Sequence, residues 1–353
     1  AEVPVSSWLY LTIMSGASFL AFSKRRNELK IKGADARKVL KYYNYYSYAG
    51  NSNYLQQLQE SEADPDKYLR TFGVSLGYGK RLSWPDDYFS FYGELSYQMY
   101  MMKDWPYMIL TDGISHNFAL NLQLSRSSID NPIYTRRGSQ FTLGLKITPP
   151  YSLIKGTTDA QYAQMTTSEK YNLLEYHKWK FSGKVFTPLS ADSKLVLMAR
   201  AEFGYLGHYN KNVKSPFESY YMGGDGMSSY SSYSTEYIAM RGYQSGSLTP
   251  YDPATGRNMG YVFNKFTMEL RYPIALEQNA TIWALAFVEA GNCFADIRDY
   301  NPFNLKRSAG IGVRLFLPMF GLMGIDWGWG FDPINGSTQY GGSQFHFVLG
   351  QEL

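Results

Sequence analysis

Few residues in this chain have a type and spacing that could carry chemistry. His116, His177, His208 and His346 lie on separate segments, none at metal-ligand spacing from another, so each is read as a rim or wall residue rather than a catalyst. A hydrolytic centre would need a nucleophile, a base and an orienting polar group brought together, and no such set stands out. Asp64, Pro65 and Asp66, and the run Gly223 to Gly226, lack the alternating oxygen ligands of a calcium loop. No phosphate loop or dinucleotide fingerprint is present, and Cys293 is a single cysteine with no intrachain partner. The expectation is therefore no enzyme, no metal and no cofactor. What remains is charge, including Arg241 in the long 208–260 link and Glu269 and Glu289 on the non-lipid side of their strands. A guanidinium withdrawn from water is costly unless a carboxylate pairs with it. On the residues alone, a solvated Arg241 in a long link is the simpler alternative.

The elements that must position these groups are strands. Alternation with period two recurs about a dozen times, over residues 8–22, 68–79, 88–101, 117–125, 139–148, 176–187, 194–207, 261–272, 281–291, 309–317, 320–331 and 344–353. No segment of helical period competes with them. Phe266, Met268, Leu270 and Tyr272 alternate with Lys265, Thr267, Glu269 and Arg271, and Ile311, Val313, Leu315 and Leu317 put Arg314 on the other side. A charge on a lipid-facing side would cost roughly 2–4 kcal/mol at mid-bilayer, so these charges belong to a polar interior. The 32 Tyr, 21 Phe and 7 Trp are a heavy aromatic load for a chain without an apolar run of about 18 residues, which excludes membrane helices and suits aromatic girdles around a barrel. A net charge of +4, dispersed along the chain, argues against nucleic acid as a partner.

Long and short links alternate. Residues 332–343, 292–307, 208–260 and 149–175 are long, whereas 318–319, 273–280 and 188–193 are short, with a further long stretch at 24–67. Short turns on one rim and long loops on the other describe an all-β, antiparallel transmembrane β-barrel of the outer membrane. An even number of crossings puts both ends of the segment on the short-turn, periplasmic rim. The 208–260 link is too long for a passive turn and is expected to be functional.

Three ordered motifs give the chain a resemblance. Gly223-Gly224 followed by Met240-Arg241-Gly242-Tyr243 resembles the sixth extracellular loop of the BamA family, the insertases of the outer-membrane β-barrel assembly machinery. Phe287, Val288, Glu289, Ala290 and Gly291 resemble that family's motif of Phe, any residue, acid, any residue, Gly. Phe345, Phe347 and Leu349 in the terminal stretch resemble its closing strand, although Leu353 stands where an aromatic is usual. The resemblance implies that residues 1–353 supply strands five to sixteen of a sixteen-stranded barrel, without its first strands and its POTRA domains. It implies that the 208–260 loop folds into the lumen, with Arg241 paired to Glu289, Glu269 or both. It also implies a lateral seam beside the last strand, where Gly350 either loosens packing or merely relieves crowding. The partners it implies are unfolded outer-membrane proteins as substrates, accessory lipoproteins of the machinery, and outer-membrane lipid with lipopolysaccharide. Two other functions fit a similar wall: a two-partner secretion translocator and a passive diffusion porin.

Overall fold

Residues 7–15, 18–21, 68–104, 109–226, 235–252, 256–277 and 279–349 are described by the computed structural model of the chain. The period-two segments form strands, because only an extended chain sends successive side chains to opposite faces. The wall consists of β1 (Ser7–Ser15), β2 (Ser18–Ala21), β3 (Tyr68–Arg81), β4 (Phe89–Lys103), β5 (Gly113–Ser127), β6 (Gly138–Ile147), β7 (His177–Pro188) and β8 (Val196–Gly207). Four short strands follow within the long link: β9 (Ser219–Met222), β10 (Thr235–Ile238), β11 (Tyr251–Asp252) and β12 (Arg257–Asn258). The wall resumes with β13 (Val262–Leu276), β14 (Thr281–Phe294), β15 (Lys306–Leu317), β16 (Gly321–Pro333) and β17 (Tyr340–Leu349).

Thirteen strands make one antiparallel sheet in the order β17-β16-β15-β14-β13-β8-β7-β6-β5-β4-β3-β1-β2. Once the 208–261 link is passed over, neighbours from β17 to β3 are also neighbours in sequence, whereas β3 pairs with β1 and β2 lies beyond β1. No helix among the described residues is long and apolar enough to cross a membrane.

The two faces divide as the alternation requires. On β13, Phe266, Met268, Leu270 and Tyr272 are exposed, whereas Lys265, Thr267, Glu269 and Arg271 are buried. On β17, Phe345, Phe347 and Leu349 point out, and His346 and Val348 point in. Charge inside and apolar surface outside is the inverse of a soluble sheet protein and the arrangement of a wall in lipid. The inner face is covered by the long link, whose Phe217, Tyr220, Met222, Met240, Tyr243 and Leu248 join wall residues in one buried cluster.

Register places the acids on one inner patch. Glu289 pairs with Thr267 of β13, and Glu269 pairs with Phe287, which makes the two carboxylates diagonal neighbours on one face. Asp326 of β16 faces Gly312 of β15 and His346 of β17, extending the same face toward the end of the sheet.

Three sequence expectations need correction or limits. The single strand over 8–22 is two paired strands, with Thr12 opposite Ala21 and Ser15 opposite Ser18. The 149–175 link, read as without helical character, holds α1 (Tyr151–Lys155), α2 (Asp159–Gln164) and α3 (Thr167–Lys170). These are too short to register a 3.6-residue period. Capping boxes at Thr158 with Gln161 and at Thr166 with Glu169 set their starts. Gly350 and Leu353, and the 24–67 stretch, lie outside the described residues.

Candidate functional site: a clamped inward loop

The link between β8 and β13 is built around a glycine corner. β9 pairs in parallel with β10, and beyond them the Gly224 N–H donates to the Tyr243 carbonyl while Met240 N–H donates to the Gly224 carbonyl. Gly223 and Gly224 sit at φ 124° and 79°, a region side chains avoid, so the corner needs glycine at both positions. This grip presents Arg241 at the tip, with Met240 and Tyr243 fully buried on either side.

Arg241 has no exposed surface. Its Nη2 lies 2.7 Å from Glu269 Oε1 and 2.9 Å from Glu289 Oε1, its Nη1 lies 3.3 Å from Asp326 Oδ2, and its backbone N–H donates to Glu289 Oε2 at 2.8 Å. The guanidinium carbon stands 3.6 Å above the centre of the Phe287 ring, a cation–π contact. Each carboxylate is also held by a wall cation. Glu269 meets Arg271 at 2.6 Å, Glu289 meets Lys265 at 3.1 Å, and Asp326 meets Arg314 at 2.7 Å. Burial alone would depress the Arg241 guanidinium, but Glu289, Glu269 and Asp326 outweigh it and hold it above its ordinary value. The loop arginine is thus a fixed charge entering a wall whose own charges are already matched in pairs.

Gly242 then seats its backbone directly on the last strands. Its N–H donates to His346 Nε2 at 2.8 Å. A Cβ on Gly328 would stand 2.8 Å from Gly242 N, and one on Gly330 or Gly341 would stand 2.4 or 2.5 Å from Gly242 O. Tyr243 finishes the contact, its hydroxyl donating to the Arg307 carbonyl at 2.9 Å and accepting from Asp332 N–H at 3.2 Å. The tip therefore touches β13, β14, β15, β16 and β17.

Of the residues singled out from sequence, the structure brings together Met240, Arg241, Gly242, Tyr243, Glu269, Glu289 and Phe287. Gly291 packs where a Cβ would meet Asn264 O at 2.7 Å. Phe345, Phe347 and Leu349 stand apart on the outer face. Sequence reasoning missed Asp326, and it gave His346 no chemistry. A signal existed for Asp326: Gly324, Gly328 and Gly330 share its face at period two, marking a surface stripped of side chains for a close neighbour.

The limb leading to the tip carries a second set of ion pairs. Glu218, at φ 68°, meets Lys178 at 3.0 Å and also pairs with Lys146; Glu236 meets Lys178 at 2.9 Å and Lys180 at 2.5 Å. Burial would push the Glu218 carboxyl up, but Lys178 and Lys146 hold it down at about 2, with Tyr100 and Tyr176 beside it. A carboxylate depressed on folding contributes stability above its unfolded pKa near 4.5 and loses it as pH falls toward the folded value. Intrinsic tyrosine fluorescence of the detergent-solubilised protein should therefore stay flat from pH 7 to about 5. It should change only between about pH 4.5 and 2, in step with exposure of Tyr220 beside Lys178.

The Omp85 superfamily domain matches residues 18–353 of this chain. Among solved structures, BamA from Haemophilus ducreyi lacking POTRA domains 1–3 superposes with a TM-score of 0.56 at 17% identity, over 80% of this chain and 54% of that one. CdiB from Escherichia coli superposes with a TM-score of 0.46 at 11% identity, over 80% of this chain and 46% of that one. The chain spans about half the length of these solved structures, and the likeness to BamA at 17% identity speaks for fold alone. No curated protein is matched by sequence.

Proposed function

The chain belongs to the Omp85 superfamily of outer-membrane β-barrels, and from that premise we propose that it is the barrel portion of an insertase that folds other outer-membrane proteins into the bilayer. The observation that carries this reading is the inward loop clamped at Arg241. A lumen filled by a buried loop is a poor conduit, which moves the work to the edge of the sheet. There β17 is hydrogen-bonded to β16 along one side, and in this reading its other side faces the seam. A strand edge that opens in lipid is a template for an incoming strand, and strand addition needs neither nucleotide nor catalytic side chain. Phe345, Phe347 and Leu349 give that edge an apolar outer face that an inserting hairpin can share with lipid.

In this reading the substrates are unfolded outer-membrane proteins. POTRA domains and accessory lipoproteins deliver them, outer-membrane lipid and lipopolysaccharide surround the seam, and both ends of the segment lie on the periplasmic rim. The test is depletion of the full-length protein, followed by quantification of many unrelated outer-membrane barrels. A general fall in their folded forms is expected. Loss of a single exported polypeptide with barrels unaffected would instead make it a secretion translocator, and a large steady single-channel conductance would make it a porin.

A further inference from the structure

We propose that the long loop is a brace fastened at two ends of opposite charge, and that Lys178 is the hub of a second anchor, independent of the one at Arg241. The loop leaves the wall at β8 and returns at β13, which are adjacent in the sheet. Its contacts lie on either side of that junction. Toward β6 and β7, Glu218 and Glu236 dock on Lys146, Lys178 and Lys180; toward β13, β14 and β16, Arg241 docks on Glu269, Glu289 and Asp326. Glu236 lies in β10 and only four residues, 237–240, separate it from Arg241, so one short segment ties the two flanks.

Lys178 is nearly as buried as the arginine and makes four contacts, all to the loop. Its Nζ reaches the Glu218 carboxylate at 3.0 Å, the Glu218 carbonyl at 2.9 Å and the Glu236 carboxylate at 2.9 Å, and it stands 4.7 Å from the centre of the Tyr220 ring. The left-handed backbone of Glu218 is a conformation that non-glycine residues avoid, and it is sustained by these contacts.

The polarity matters as much as the pairing. The loop offers carboxylates to lysines at one end and a guanidinium to carboxylates at the other. A slipped loop would therefore set Glu218 or Glu236 against Glu269 and Glu289, and Arg241 against lysines, so one docked position is specified and its shifted alternatives are repelled. This depends on the loop and the inner wall, whichever polypeptide the barrel handles.

Hydrogen–deuterium exchange on the full-length protein in nanodiscs tests it, with heat-modifiable electrophoretic mobility as the check that the barrel is folded. Glu218→Gln combined with Glu236→Gln should speed exchange of residues 219–224 at least tenfold while 240–243 stay protected. Arg241→Ala should do the reverse. The three substitutions together should release both segments. If the double glutamine variant does not fold, Glu236→Gln alone, whose partner Lys180 is half-exposed, should speed exchange of 219–224 at least threefold. Unchanged exchange of 219–224 in the glutamine variants, or release of both segments by Arg241→Ala alone, would overturn the two-anchor brace. Insertion activity does not enter this readout, so its result stands apart from that of the depletion experiment.

Discussion

Arg241→Ala is expected to free the loop tip while leaving the wall folded. The outcome follows from how the inner charges are shared. Without Arg241, Glu269 keeps Arg271, Glu289 keeps Lys265, and Asp326 keeps Arg314, so three carboxylates still face three cations. The wall loses no net balance, and the penalty falls on the loop, which gives up three charge-assisted hydrogen bonds and the stack on Phe287. Hydrogen bonds to charged groups contribute about 1.5–3 kcal/mol each, so losing three of them shifts the docked-to-free ratio of the tip by at least about a hundredfold. Arg241→Lys should recover only part of this, because an ammonium cannot span three carboxylates with a planar fork or stack flat on the ring. The measurement is protease cleavage near residues 240–248 in the folded barrel, together with the temperature at which the heat-modifiable form is lost. Cleavage should rise steeply with little fall in that temperature. Equal protection in wild type and Arg241→Ala would mean that the arginine does not hold the loop.

The division between what could and could not be read from the sequence follows from the range of each interaction. Period-two alternation is local, so the wall strands and the inward face of Glu269, Glu289 and Arg314 are legible from a few neighbouring residues. The pairing of Arg241 with acids more than twenty residues away is not local. It became an expectation only through the Gly-Gly and Met-Arg-Gly-Tyr resemblance, and residue types alone left a solvated arginine as the simpler choice. Asp326 and His346 escaped because one acid or one histidine in an alternating strand looks like any inward polar residue until a loop is laid against it. Glu218 and Glu236 escaped for a similar reason: their lysines lie on β6 and β7, with no spacing that links them to the loop. The pairing of β1 with β2 was hidden because the alternation of the 8–22 run reads straight through.

Gly242→Ala is expected to release the tip as fully as Arg241→Ala, although it removes no charge. Gly242 lies at φ 85°, where an alanine pays roughly 1–2 kcal/mol in backbone strain. Strain of that size would not undock the loop. The steric term decides, since an added Cβ would stand 2.8 Å from both Gly330 N and the Trp329 carbonyl carbon. Those are backbone atoms of β16, held by ladders to β15 and β17, and they cannot move aside as a side-chain end could. Gly321→Ala separates the two contributions, because Gly321 has φ 77° and nothing within 4 Å of the added Cβ, so it carries strain alone. It should leave the loop protected and lower stability only slightly. Combining Gly242→Ala with Arg241→Ala should add little further protease sensitivity, because a tip already lifted off the glycine surface has taken its guanidinium away from the acids. If the effects instead add in full, the glycine seat and the ion cluster are separate fastenings rather than one.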